Sequence, residues 1–133
     1  MMIFLNLPVA DLAGSMRFYE ALGFRNNPQF TDETAACMVL SEQIYVMLLT
    51  HPKFTSFLTR PMADAKKETG ALYAISCASR EAVDAMMATV IAHGGVEYRP
   101  AQDHGFMYGR AFADPDGHVW EPFWMDPAAV PAQ

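Results

Sequence analysis

The sequence is short of cysteine, of basic residues and of long apolar runs, and each shortage excludes something. Cys37 and Cys77 stand alone in apolar stretches, in neither a Cys-x-x-Cys pair nor a regular framework. They read as reduced, buried thiols of a cytoplasmic protein. Nine Lys and Arg against 15 Asp and Glu give a net charge of −6, which leaves no basic stripe to neutralise phosphates. A nucleic-acid partner is therefore not expected. No apolar run approaches the ~20 residues that span a bilayer, so no membrane association is expected. The opening Met1–Pro8 stretch lacks the basic flank and small-residue cleavage site of a secretory signal. What is plentiful is hydrophobicity, at 52% against 18% charged residues, which a disordered chain does not have. These features predict one soluble cytoplasmic domain over residues 1–133.

Periodicity divides the chain into two similar halves. Ile3–Val9 alternates as a strand, with Ile3, Leu5, Leu7 and Val9 on one face. Asp11 is placed to cap a helix whose apolar positions are Leu12, Met16, Tyr19 and Leu22, and Gly23 supplies its stop. Strands are predicted over Phe24–Phe30, Ala35–Leu40 and Ile44–Thr50, with Ser41-Glu42-Gln43 as a hairpin turn. Residues 51–69 read as a connection with one short helix, whose Phe54, Phe57 and Leu58 form a stripe expected in the core rather than in a lid. The second half repeats the order. Ala71–Cys77 is a strand, and Ser79 caps a helix reaching about His93 with Val83, Met86, Met87, Val90 and Ile91 inward. Strands Val96–Arg99, Met107–Ala113 and His118–Met125 follow, the last two joined by the tight turn Asp114-Pro115-Asp116-Gly117. The modules are thus 1–50 and 70–126. Neither alone can bury both a sheet face and a helix stripe, so they are expected to pack together.

Three stretches carry a family likeness: Leu7-Pro-Val-Ala-Asp-Leu12, Ser15-Met-Arg-Phe-Tyr-Glu-Ala-Leu-Gly-Phe24 and Phe112-Ala-Asp-Pro-Asp-Gly-His-Val-Trp-Glu121. In order and spacing they resemble the vicinal-oxygen-chelate superfamily of glyoxalase I, fosfomycin- and bleomycin-resistance proteins and extradiol dioxygenases. The resemblance implies an α+β fold of two βαβββ modules forming an eight-stranded cup, assembled as a homodimer. It also implies four metal-ligand positions, on the first and last strands of each module. Here these fall on Phe4, near Met47, near Leu72 and on Glu121. Phe, Met and Leu supply no oxygen or imidazole nitrogen, so a Zn, Ni, Mn or Fe ion keeps a single matching carboxylate and no cofactor is expected.

Two groups of residues are candidates for chemistry. Glu121 alternates onto one strand face with Val119, Phe123 and Met125, and an ionised carboxylate among apolar neighbours needs a partner. Arg110 or Arg99 could be that partner, or Glu121 could act as a general base. The run Asp103–Arg110 brings His104, Tyr108 and Arg110 together beside two glycines, suited to gripping a polar group, with His104 able to shuttle a proton. By the resemblance, Phe4, Asn6, Met47 and Phe123 line the ligand cavity. His118 reads first as a turn residue. A site of His104, His118 and Glu121 would need a bulge at 118–120.

The reading favoured is a metal-free binder of a small organic molecule, with Glu121, Arg110 and Asn6 as polar anchors in an apolar pocket and Tyr108 among the ligand-binding residues. The alternative is a glyoxalase-type lyase or isomerase with Glu121 as base and His104 or Tyr108 as oxyanion donor. A purely structural module would leave Glu121 without a role.

Overall fold

A computed structural model describes residues 1–129 of the chain. It contains two compact units, Met1–Asp64 and a second beginning at Ala65. In the first, β1 (Ile3–Val9), α1 (Leu12–Ala21), β2 (Arg25–Asn27), β3 (Ala35–Val39) and β4 (Ile44–Thr50) are followed by the short α2 (His51–Thr55). The second holds β5 (Leu72–Ser76), α3 (Arg80–Ala92), β6 (Val96–Asp103), β7 (Met107–Ala113) and β8 (Val119–Met125). Each unit is a four-stranded mixed sheet, ordered β1-β4-β3-β2 and β5-β8-β7-β6, with only the first–last strand pair parallel. The repeat in element order is thus a repeat in strand order, and the class is α+β.

The helices form where capping and apolar spacing agree. Asp11 Oδ1 accepts from the Gly14 amide at 3.0 Å and Ser79 Oγ from the Ala82 amide at 3.0 Å, which satisfies one open donor of each first turn. From α1, Phe18 and Tyr19 are buried, with Ser15 beside them, while Leu12, Met16 and Leu22 are only half-buried. The inward stripe is therefore centred on Phe18. In α3 the buried positions are Val83, Met87 and Val90, whereas Ile91 is exposed at the edge of the predicted stripe. α1 packs on β3 and β4, and α3 on β7 and β8. The side chains each sheet turns toward its helix make the core: Val46, Leu48 and Met38 in one unit, Phe112 and Trp120 in the other.

Four expectations need correction. The strand expected over Phe24–Phe30 is three residues long, because Pro28, which has no N–H to pair, opens a 3-10 turn over Pro28–Phe30 capped by Asn27. Phe24 instead enters the core, its ring 5.5 Å from Tyr19. Conversely, β6 runs past Arg99 to Asp103, with register shifts between Glu97 and Arg99 and between Arg99 and Gln102. Those irregularities break the period-two signal by which a strand is recognised. The Phe54-Phe57-Leu58 stripe is not core throughout: Phe57 is 66% exposed, with the Lys53 ammonium 5.3 Å from its ring. Cys37 is buried as expected, but Cys77 is only half-buried, and both are free thiols.

The Asp114–Gly117 turn forms as expected. Asp114 Oδ1 accepts from the amides of Asp116 and His118 at 2.9 and 2.8 Å. Gly117, at φ 94°, lies so close to the backbone of Ala65 that a Cβ would sit 2.7 Å from it, so this position has no room for a side chain.

Candidate functional site

With a helix on one face of each sheet, the opposite faces hold the remaining alternate residues. On the second sheet this face carries Glu121 and Phe123 of β8, Gly109 and Ala111 of β7, and Leu72 and Ala74 of β5. Glu121 lies level with Ala74 on one side, and the β7–β8 register sets Ala111 opposite it on the other.

Arg99 reaches this row only because of a bulge. Glu97 pairs with Phe112, yet Arg99 pairs with Ala111, so Tyr98 is an extra residue on β6. Without it, parity would turn Arg99 toward the helix side. With it, Arg99 shares the face of Ala111 and Glu121, and its Nη2 lies 2.5 Å from Glu121 Oε2. The two side chains are 26% and 21% exposed. Arg99 Nε is buried and without a hydrogen-bond partner among the described residues. Of the two partners the sequence offered for Glu121, the structure selects Arg99.

Tyr108 and Arg110 share a face with each other, as their spacing requires, but it is the helix face. The Tyr108 hydroxyl donates to Asp84 Oδ1 at 2.6 Å, and Arg110 donates to Asp84 at 2.9 Å and to Glu97 at 2.6 Å. These bonds, that of Tyr108 first, hold the Asp84 carboxyl below its ordinary range, while the Asp84 carboxylate raises the Tyr108 phenol. Both side chains are engaged with α3 and β6 and are not brought to Glu121. Nothing in the sequence singled out Asp84, because a lone acid on a helix surface carries no signal of its partners.

His104 sits exposed in the β6–β7 loop, its ring centroid 6.4 Å from that of Phe106. The loop lies at the end where Met107 faces Met125, four strand residues from Glu121, or about 13 Å. His104 and Glu121 are therefore separate. Arg80 fastens this loop: it forks Asp103 at 2.8 and 2.9 Å, donates to the Gly105 carbonyl, and lies 5.2 Å from the rings of Tyr108 and Trp124. The Arg80 bonds, then the Gly105 amide, hold the Asp103 carboxyl at about 2 instead of 3.8. A depressed acid stabilises the fold above its unfolded value and loses that contribution as pH falls through the folded one. Carbon-detected NMR should show Asp103 titrating near pH 2, with the Gly105 amide moving in step, and Arg80→Met should return the midpoint toward 3.8.

In the first unit, Phe4 is 48% exposed and stacked on Tyr45, with centroids 4.5 Å apart. Asn6 lies level with Met47, and Met47 with Cys37. Asn6 is thus level with Met47 on the last strand of the first sheet, as Ala74 is with Glu121 on that of the second. The register sets Phe4 level with Tyr45 and Leu72 level with Val119 instead. Either choice of first-strand residues leaves one carboxylate, which does not fit a divalent ion of the Zn, Ni, Mn or Fe type. Among the described residues no group of three or more His, Cys, Asp or Glu comes together to hold a metal. The β7–β8 register is regular at Ala113–Val119 and Phe112–Trp120, so the bulge a His118–Glu121 site would need is absent.

Comparison with known proteins agrees with this architecture. No curated protein matches the chain. A hypothetical protein from S. aureus superposes with a TM-score of 0.79 at 26% identity, covering 93% of each chain. A glyoxalase-related enzyme from Fulvimarina pelagi gives 0.78 at 22% identity, covering 93% of this chain and 87% of its own. The fosfomycin resistance protein FosX from Mesorhizobium loti gives 0.70 at 15%, covering 96% and 94%. The family model described as Glyoxalase/Bleomycin resistance protein/Dioxygenase superfamily matches residues 2–121. Carrying that match along almost its whole length, on two βαβββ units of the same strand order, the chain belongs to the glyoxalase/bleomycin resistance protein/dioxygenase superfamily.

Proposed function

We propose that this chain binds a small organic molecule on the face of its second sheet opposite α3, at the Arg99–Glu121 pair, without a resident metal. The observation that carries the reading is the pair itself: the carboxylate at the family's ligand position is engaged by a guanidinium at 2.5 Å. The guanidinium and carboxylate of this partly exposed pair offer a donor and an acceptor side by side. Leu72 and Phe123 on the same face supply apolar surface, so the fitting ligand has an apolar body and one amide-like or carbonyl group. That some relatives are named for drug resistance is in keeping with such binding. Assembly as a homodimer belongs to the same proposal, and sedimentation should then read about twice 14.8 kDa.

A second reading draws on the same pair. Glu121 would take a proton from a carbon next to a carbonyl, while the electrons move onto the carbonyl oxygen facing Arg99. His104, in the β6–β7 loop beyond Met107, has no part in that step.

The test begins with metal content. Protein purified without a metal-affinity tag and titrated with Zn, Ni, Mn and Fe(II) should hold no stoichiometric ion. A metal bound one to one and lost in Glu121→Ala would overturn the metal-free reading. A thermal-shift panel of carbonyl and amide compounds then seeks a ligand whose affinity falls at least tenfold in Arg99→Met. A panel hit indifferent to that substitution would place binding elsewhere.

A further inference from the structure

The first unit has an open cleft of about 480 Å³ formed entirely by residues between 23 and 45. We propose that it is a second ligand site, for a small monocarboxylate with an aromatic or branched body, held by Arg25. It is independent of the Arg99–Glu121 reading.

Register builds the site. Arg25 lies level with Val39 and Val39 with Tyr45, so the three share a face, and Asn27 joins them two residues along β2. The Tyr45 ring is fixed from both sides: it stacks on Phe4 at an angle of 10°, and its hydroxyl donates to the Glu42 carbonyl at 2.6 Å. With Val39 it forms a rigid apolar wall. Unlike those of Arg80, Arg99 and Arg110, the Arg25 side chain makes no hydrogen bond, ion pair or ring contact with any described residue. Asn27 uses its oxygen to cap Gln29, at 3.1 Å, which leaves its amide N–H donors for a ligand.

A planar guanidinium fork with an amide donor beside it matches a carboxylate, and the aromatic wall suits the body attached to it. Charge narrows the class. Glu42 lines the same cleft, and the chain carries −6 overall. A monoanion meets less of that field than the dianionic form of phosphate does, so a monocarboxylate is favoured over phosphate.

Benzoate is the probe, added to the full ¹⁵N-labelled chain, with benzamide and inorganic phosphate as comparisons. Benzoate should shift the amides of residues 23–27 and 39–45 saturably. Benzamide should bind at least tenfold more weakly, and phosphate should leave these signals in place. Arg25→Ala removes a side chain with no described partner, so its spectrum elsewhere should match the parent while benzoate affinity drops at least tenfold. Arg25→Lys, which keeps charge but not the fork, should fall between. Arg99→Met should bind benzoate as the parent does, so loss of the Arg99 site and loss of this one are separable. Benzoate shifts confined to residues 97–123, unchanged affinity in Arg25→Ala, or equal binding of phosphate would each overturn the proposal.

Discussion

Glu121→Ala should destabilise the chain by about 1–3 kcal/mol, and the double variant with Arg99→Met should lose less than the two single changes together. Truncating one member strands the other charge on a face where the two side chains are only 21% and 26% exposed. Removing both leaves an apolar patch over Ala111 with nothing to desolvate. The range stays below that of a fully enclosed pair because a quarter of the surface still sees solvent and salt. Urea unfolding of the four proteins measures the coupling directly. Strict additivity would mean that the pair exists without mutual support and would remove the basis of the proposed site. Glu121→Gln separates the two functional readings. It keeps the side-chain shape, so a binding protein retains its ligand, whereas a proton-abstracting enzyme loses turnover while still binding.

Trp120→Ala carries the largest expected effect on stability, a loss of about 3–5 kcal/mol. Trp120 has no exposed surface, lies on the α3 side of β8 one residue from its start, and packs its ring 5.1 Å from that of Tyr73. Against a typical total of about 5–15 kcal/mol, the variant is expected to unfold at far lower urea concentration, or to fail to accumulate. Phe57→Ala is the control. That ring is 66% exposed, so its removal should change stability by no more than about 0.5 kcal/mol, although it is as aromatic in sequence as Trp120. Comparable losses at the two sites would mean that Phe57 is covered in solution.

Much of the fold was legible in the sequence because its signals are local. Asp11 and Ser79 cap the helices they were read to cap, Ile44–Thr50 is a strand to the residue, and the Asp114–Gly117 turn forms with its glycine at positive φ. Each depends on chemistry within a few residues. The errors fell where a local pattern was interrupted. Pro28 cut a strand short, and the bulges of β6 hid a strand that continues to Asp103.

The candidate site divides along the same line. By itself the sequence determined which residue types are present: a carboxylate at Glu121, apolar side chains where a metal would need donors, and two modules of one element order. Which of them meet was decided only in the tertiary structure. One inserted residue, Tyr98, reverses the parity of Arg99 and sets it beside Glu121, while unbroken alternation in β7 turns Tyr108 and Arg110 away toward Asp84. A side chain's face depends on strand register. Register is settled by the packing of whole sheets, which no short stretch of sequence contains.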